Sequence, residues 1–474
     1  MSIPIFSYIY ILILVCFFVL SSNFKCLYVY NLILLLALEI IWPQGYFFQL
    51  GSTDYTVCGI QMCMVSIISI IYFVLYKKEL HNRLINVGTI FLIIVLLGNL
   101  YQSLFTYDGY IMPIDMSWDD YVAGKIVLAK YEFSLETFCT NYIKLICYML
   151  VVYVVKTFLN IEDIRYVVDK IIYISFPVVL YGYAEMVLKN VLGMPQITYE
   201  VTEIVFGLSQ HTYGWENATT LEDGVYRLQG FTREPSHYVL SLLFFGILIF
   251  IMMKSNRCIG KKIPLLYYTE IVFIFLLMPM TGGMSAIWCI FSLVMVYTII
   301  NINRNISIIR IIKWFVIVSI CVYSSAYGFY YLLDNDDIAL LKRFSESLDT
   351  VSLMINNPGL LIIAGVDGST LARFTSILVC MGNWIDNPLL GIGIGYTIAH
   401  DFIASILVKS GFIGFAIWYI FMTIRCNLLE KYDHFLILTV LCIVFLPMGP
   451  NAGWYTVFYF VLLFEATKLY ANKL

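Results

Sequence analysis

Charge is scarce in this sequence. Lysine, arginine, aspartate and glutamate make up 12% of its 474 residues, against 61% hydrophobic ones, and the mean hydropathy is +0.86. So little polar surface cannot clothe soluble domains of this length, and a soluble globular chain is excluded. A basic block is missing too: the net charge is −3 and the lysines and arginines are scattered, which removes the usual footprint of a nucleic-acid binder. Twelve cysteines form no C-x-x-C pair, and most fall inside apolar runs, so neither a zinc site nor a disulfide framework is indicated. No basic stretch precedes the first apolar run and no small-residue cleavage pattern follows it, so that run is expected to stay as a helix. Without internal repeats, low-complexity tracts or a separable polar domain, residues 1–474 are expected to form one integral membrane domain.

What the sequence has in abundance is apolar runs of the length, about 17 to 25 residues, that a helix needs to cross a bilayer. We read thirteen, at 3–20, 27–43, 57–76, 84–103, 139–159, 168–190, 236–253, 263–280, 284–300, 311–332, 401–424, 433–449 and 452–470. The expected fold is all-α and polytopic, with about 12–13 transmembrane helices. Basic residues concentrate in alternate connections, among them Lys77, Lys78 and Arg83, then Lys254, Arg257, Lys261 and Lys262, whereas the short connections 44–56, 281–283 and 450–451 have none. The basic side is expected in the cytoplasm and the amino terminus outside. Three long loops, approximately 104–138, 191–235 and 333–400, then lie outside, and chemistry is expected there. Within the third, NPGLLIIAGV (357 to 366) is apolar enough to lie along the interface or re-enter it.

Two stretches at this outer face carry polar groups against apolar helices. In RLQGFTREPSHYVLSL (227 to 242), Arg233, Glu234 and His237 adjoin a run from Tyr238 to Met253 that has no lysine, arginine or carboxylate. Pro235 suits a first helical turn, where its missing N–H has no intrahelical partner. The unpaired amides and dipole of that helix end favour an anion, and Arg233 and Arg227 add planar donor forks that match phosphate oxygens. The ordinary alternative is an interfacial arginine beside a helix cap. In NPLLGIGIGYTIAH (387 to 400), a glycine-rich segment leads to His400 at the outer end of another helix.

Both stretches carry a resemblance. The segment 387 to 395, ending in His400 with Gly411 eleven positions later, resembles the histidine motif of the bacterial O-antigen ligase and polymerase family. The stretch 227 to 242 is similar to the arginine-and-E-P-S segment of exopolysaccharide and O-antigen repeat-unit polymerases. The likeness covers most of the chain from residue 168 onward. Relatives usually carry Asn, Ser or Gln after the histidine and Leu four residues on, where this chain has Asp401 and Ala404; they often carry a basic residue near a Thr-Ser pair, where TGGMSA (281 to 286) has none. The resemblance implies a GT-C-like membrane glycosyltransferase of the bacterial plasma membrane, facing the periplasm or exterior. It would polymerise oligosaccharide repeat units carried on undecaprenyl pyrophosphate, without a metal or cofactor, and a chain-length regulator is a compatible partner protein. It implies His400 as general base, Arg227, Arg233, Arg343 and Arg373 on the pyrophosphate, and Glu234 and His237 orienting Arg233 or holding acceptor hydroxyls. A ligase of the same family, or a transporter of lipid-linked saccharide, is the alternative.

Other features have plainer readings. Gly391, Gly393 and Gly395 follow no βαβ pattern and are expected to give flexible backbone, not a nucleotide loop. Asp334, Asp336 and Asp337 form a D-x-D that reads as a solvated acidic loop. Asp54, Asp108, Asp115, Asp119 and Asp120 are fallback bases in the first two outer loops. Glu270, near the middle of an apolar run, is expected to be protonated, paired or functional. Tyr213, Trp215 and Trp384 are expected near sugar rings.

Overall fold

The computed structural model describes residues 5–41, 46–50, 53–75, 82–105, 107–111, 128–206, 226–232, 235–281, 284–301, 368–395, 397 and 402–423. Helices dominate: α1 (Ile5–Leu20), α2 (Phe24–Ile41), α3 (Val57–Leu75), α4 (Asn82–Leu104), α5 (Leu135–Phe158), α6 (Ile161–Met186), α7 (Pro195–Phe206), α8 (Pro235–Cys258), α9 (Leu265–Met280), α10 (Met284–Asn301), α11 (Gly368–Asp386) and α12 (Phe402–Thr423). Among the described residues there are also two antiparallel two-stranded sheets. One pairs β1 (Tyr46–Leu50) with β2 (Thr53–Thr56), and the other pairs β3 (Tyr110–Ile111) with β4 (Ala129–Lys130).

A peptide group in hydrocarbon has no water to bond, and a helix is the segment that satisfies its own backbone. Six described helices are long and apolar enough to cross a membrane: Val57–Leu75, Ile85–Leu104, Leu135–Phe158, Ile161–Val191, His237–Cys258 and Ile403–Phe421; Ile5–Leu20 and Leu265–Met280 are shorter apolar helices. The chain is therefore an all-α polytopic membrane protein. Every expected span that falls on described residues coincides with a helix, while 311–332, 433–449 and 452–470 lie outside them, as does 357–366. The expected long loops are partly helical: α7 lies within 191–235 and α11 within 333–400.

The helices pack in two groups. In the first, α8 contacts α6, α9, α10 and α2; in the second, α12 contacts α4 and α11, and α4 contacts α5. α3 joins them by packing on both α2 and α5. The ends are well marked. At one end, Lys25 at the start of α2 pairs with Asp163 at 2.5 Å, and Asp163 closes a capping box with Asn160 at the start of α6. Arg165 donates to Asn256 and Tyr267 to Asp169 at this same end. The Lys156 ammonium donates to the Phe421 carbonyl near the end of α12 at 2.9 Å, where a cation suits the negative helix terminus. The opposite end holds the carboxyl ends of α4, α6 and α9 and the amino ends of α5, α8 and α12.

α12 is not one continuous helix. Gly411 adopts φ 65°, ψ −175° and splits it. In an unbroken helix Phe412 N–H would bond the carbonyl of Val408. Here Phe412 N–H donates to Pro388 O at 2.8 Å, Ile413 N–H to Leu389 O at 3.3 Å, and Val408 O accepts from Ile392 N–H at 2.7 Å. The segment 388 to 392 thus supplies the partners that the broken turn has lost. This fit requires bare backbone: a Cβ on Gly411 would lie 2.1 Å from Leu389 O, and one on Gly391, at φ 70°, would lie 2.4 Å from Val408 O. Of the glycines expected to give flexible backbone, Gly391 and Gly393 are buried and Gly395 is half-buried, and each allows another group a close approach.

Gly411→Ala is expected to destabilise the detergent-solubilised protein by about 2–4 kcal/mol in thermal unfolding. Gly382→Ala is the control, because it lies inside α11 with open space around its added methyl. It is expected to be neutral or stabilising by up to about 1 kcal/mol. Equal effects at the two positions would refute the exchange of backbone partners.

Candidate functional site

The arginine-bearing stretch is anchored from its front. Residues 226 to 232 run beside the carboxyl end of α6, which continues into a π-helical turn, Val187–Val191. Such turns widen a helix locally and re-aim its side chains, and they recur at functional sites. The Glu185 carboxylate accepts from Gln229 N–H at 3.2 Å and Gly230 N–H at 2.8 Å. The Lys189 ammonium lies 2.6 Å from Glu185 Oε1, 3.5 Å from Arg227 O and 4.8 Å from the centre of the Tyr199 ring on α7. Glu185 and Lys189 are each 1% exposed. Removing one member of such a pair strands a buried charge, typically at a cost of about 3–5 kcal/mol.

Further contacts complete the anchor. Asn190, in the π-helical turn, accepts from Tyr226 N–H at 2.7 Å and donates to Tyr226 O at 2.9 Å, as a neighbouring strand would. Arg227 donates through Nε to the carbonyl of Thr281, the residue that ends α9, at 3.3 Å. Phe231 stacks on Tyr181 with ring centres 4.1 Å apart. Thr232 N–H closes a turn onto Gln229 O at 3.0 Å. The Tyr238 ring, in the first turns of α8, lies against Gly230 and Gly182 so closely that a Cβ on either would collide with it; its hydroxyl donates to Val178 O.

The glycine-rich stretch is fixed at the same end of the helices. Gln102, near the end of α4, donates to Asn387 Oδ1 at 2.8 Å and Gly391 O at 3.1 Å, and Asn99 accepts from Ile394 N–H at 3.3 Å. Tyr131 donates to Ile392 O at 3.1 Å. Residues 107 to 111 are tied to the end of α11 by the Tyr107 hydroxyl, 2.5 Å from Asn383 Oδ1 and 3.0 Å from Asp386 Oδ2, and by Asn383 donating to Tyr110 O. Burial, and secondarily the Asp386 carboxylate, raise the Tyr107 pKa above its ordinary value, so this tether keeps its proton.

Several expected site residues, Arg233, Glu234, Arg343 and His400, lie outside the described residues; Arg233 and Glu234 are the two positions between the anchored turn ending at Thr232 and Pro235 of α8. Arg373 belongs to α11, but its side chain lies outside the described ones. His237 sits half-buried in the first turn of α8, and Arg227 has the helix-capping duty given above. Arg233 and His400 both lie outside the described residues, so their convergence is not described. Asp115, Asp119, Asp120, Asp334, Asp336, Asp337, Tyr213 and Trp215 also lie outside, and of Asp54 only the backbone is described. Asp108 forms an exposed ion pair with Lys130 at 2.6 Å, which raises the lysine pKa, and the Trp384 indole N–H donates to Pro388 O. Among the described residues no cluster of three or more His, Cys, Asp or Glu side chains could hold a metal ion.

The spans also contain ionisable groups that were not among the expected site residues. Glu39 accepts from Tyr148 at 3.1 Å, and Lys409, in the last turn before the break in α12, donates to Ser405 at 2.7 Å. Glu270 is buried against Ser175, whose hydroxyl lies 2.7 Å from Ile172 O while also bonding Glu270 Oε1. One hydroxyl proton cannot serve two acceptors, so both contacts are satisfied when Glu270 carries a proton and donates it to Ser175. The expected pairing of Glu270 is therefore with a hydroxyl.

Glu270→Gln, which keeps a donor and the shape, is expected to hold thermal stability within about 1 kcal/mol of the parental protein. Glu270→Lys, which forces a charge into the same place, is expected to leave little folded protein in the membrane. A large loss with glutamine, measured by melting in detergent, would show that the carboxylate charge itself is needed.

No protein-family model matches the chain, and no curated protein does.

Proposed function

We propose that the protein is a membrane glycosyltransferase that joins saccharide units carried on a polyprenyl pyrophosphate, and that it works as an O-antigen or exopolysaccharide repeat-unit polymerase at the outer face of a bacterial plasma membrane. The observation that carries this reading is the placement of both resembling stretches. The anchored turn before Arg233 and the buried segment before His400 lie at one end of the bundle, opposite the Lys25–Asp163 end. A GT-C-like plan, with chemistry gathered at one membrane face, accommodates that arrangement.

In this mechanism the lipid pyrophosphate leaves the anomeric carbon as an acceptor hydroxyl attacks from the opposite face, inverting the centre. The sugar–phosphate C–O bond breaks, its electron pair goes to the pyrophosphate, and the hydroxyl proton passes to the His400 imidazole. Charge grows on the leaving oxygens, so fixed guanidinium groups stabilise the transition state more than the ground state. Arg233, Arg343 and Arg373 are assigned to that task, with Arg227 supporting the turn as well as the anion. Glu234 and His237 orient Arg233 or hold acceptor hydroxyls.

A second reading, transport of a lipid-linked saccharide, is favoured by the break in α12 beside Lys409, since transporters use discontinuous helices and intramembrane charges. Vesicles containing the purified protein distinguish the two. Lengthening of repeat units supplied at the outer face supports the polymerase, and movement of units across the bilayer without lengthening supports the transporter.

In the lengthening assay, His400→Ala is expected to lower the rate by about 10²- to 10⁴-fold. Arg233→Lys is expected to lose most activity although it keeps the charge, because the bidentate fork is gone. Full activity of His400→Ala would remove the histidine from the chemistry.

A further inference from the structure

α6 makes its own backbone hydrogen bonds and needs no help from Glu185. Yet this carboxylate turns to the main chain of another segment, 44 and 45 residues away in sequence, and meets two consecutive amides, Gln229 N–H and Gly230 N–H. Gly230 has φ 58°, which turns neighbouring N–H groups towards one point and forms a small anion-holding nest. Glu185 fills it. Lys189, 2.6 Å away, neutralises the carboxylate, so the turn is held without adding net negative charge to the buried interior. Gly230 is three positions from Arg233, and Thr232 closes the turn between them.

We propose that Glu185 is a positioning residue for the arginine-bearing motif: its carboxylate in the Gln229–Gly230 nest fixes the turn that directly precedes Arg233 in sequence. What Arg233 grips rests on the glycosyltransferase reading; the fixing of the turn does not. Three other features of the same end belong with it. Asn190 holds Tyr226, Arg227 reaches Thr281, and Tyr238 presses on Gly230, so the turn has no freedom to drift while Glu185 stays in place.

The test uses the full chain in lipid nanodiscs. Because Glu185→Leu alone would strand the Lys189 charge, the informative variant is Glu185→Leu/Lys189→Met, which removes the acceptor and keeps the interior neutral. Hydrogen exchange by mass spectrometry is expected to accelerate at least about tenfold for 226 to 232, with α6 and α8 unchanged. Glu185→Gln/Lys189→Met retains one acceptor oxygen and is expected to restore most of the protection. Unchanged exchange in the turn, or acceleration spread through α6 and α8, overturns the proposal.

Binding of farnesyl pyrophosphate supplies the second readout. The dissociation constant is expected to rise about tenfold in Glu185→Leu/Lys189→Met, as for a lost charge-assisted contact. If the parental chain binds this probe and the double variant binds it equally well, the turn does not direct Arg233 and the proposal falls. If the parental chain does not bind it, the pyrophosphate reading fails, while the exchange result still decides whether Glu185 fixes the turn.

Discussion

An amide or carbonyl buried among membrane helices has to find its partner within the protein, and this requirement bears on the two irregular segments at Gly411 and Gly230. Where α12 breaks at Gly411, the lost partners come from Pro388, Leu389 and Ile392. Where the chain turns at Gln229 and Gly230, they come from the Glu185 carboxylate. The carbonyl of Thr281 at the end of α9 is met by Arg227, and that of Phe421 near the end of α12 by Lys156. At each of these points a polar partner meets a main-chain group where helical bonding stops.

Much of the architecture was legible because burial in lipid demands long apolar runs, and such runs leave a direct record in sequence. α3, α5 and α8 follow from that alone. α11 was less legible: its apolar positions recur with helical spacing, but glycine, threonine, arginine and asparagine lie among them, and the stretch reads as loop beside its more apolar neighbours. The glycines at 391, 393 and 395 were visible, but their purpose was not. Spacing cannot distinguish a backbone that moves from one that something else must approach, and here Val408, Asn99 and Asn141 occupy the space a side chain would need.

Of the expected site residues, the structure describes Arg227 in the turn and His237 at the head of α8, and the residues that fix the turn were not among them. Glu185 and Lys189 stood in plain view as a pair four residues apart at the end of an apolar run, a spacing that places them on one helix face. What the sequence does not encode locally is that their partners begin at Arg227 and Gln229, beyond α7. The same limit applies to Gln102, which meets Asn387 and Gly391 across nearly 300 residues. Long-range polar pairing has no periodicity, so it emerges only once the helices are placed.

The kind of contact bears on the kind of function. A transporter must let its binding segments move, and segments that move are held by few buried bonds. A catalyst gains most when charged groups are set in place before the substrate arrives, because no reorganisation is then needed as charge develops. Under the proposed glycosyltransferase reading, the described contacts would serve by holding the chain beside the two motifs in place. The turn before Arg233 is held by a buried ion pair, an amide side chain that mimics a strand, a stacked ring and a helix-capping arginine. The segment after Asn387 is bonded into α12 through three main-chain hydrogen bonds. Rocking either segment would break several hydrogen bonds at once, so the break in α12 is better understood as a rigid joint than as a hinge.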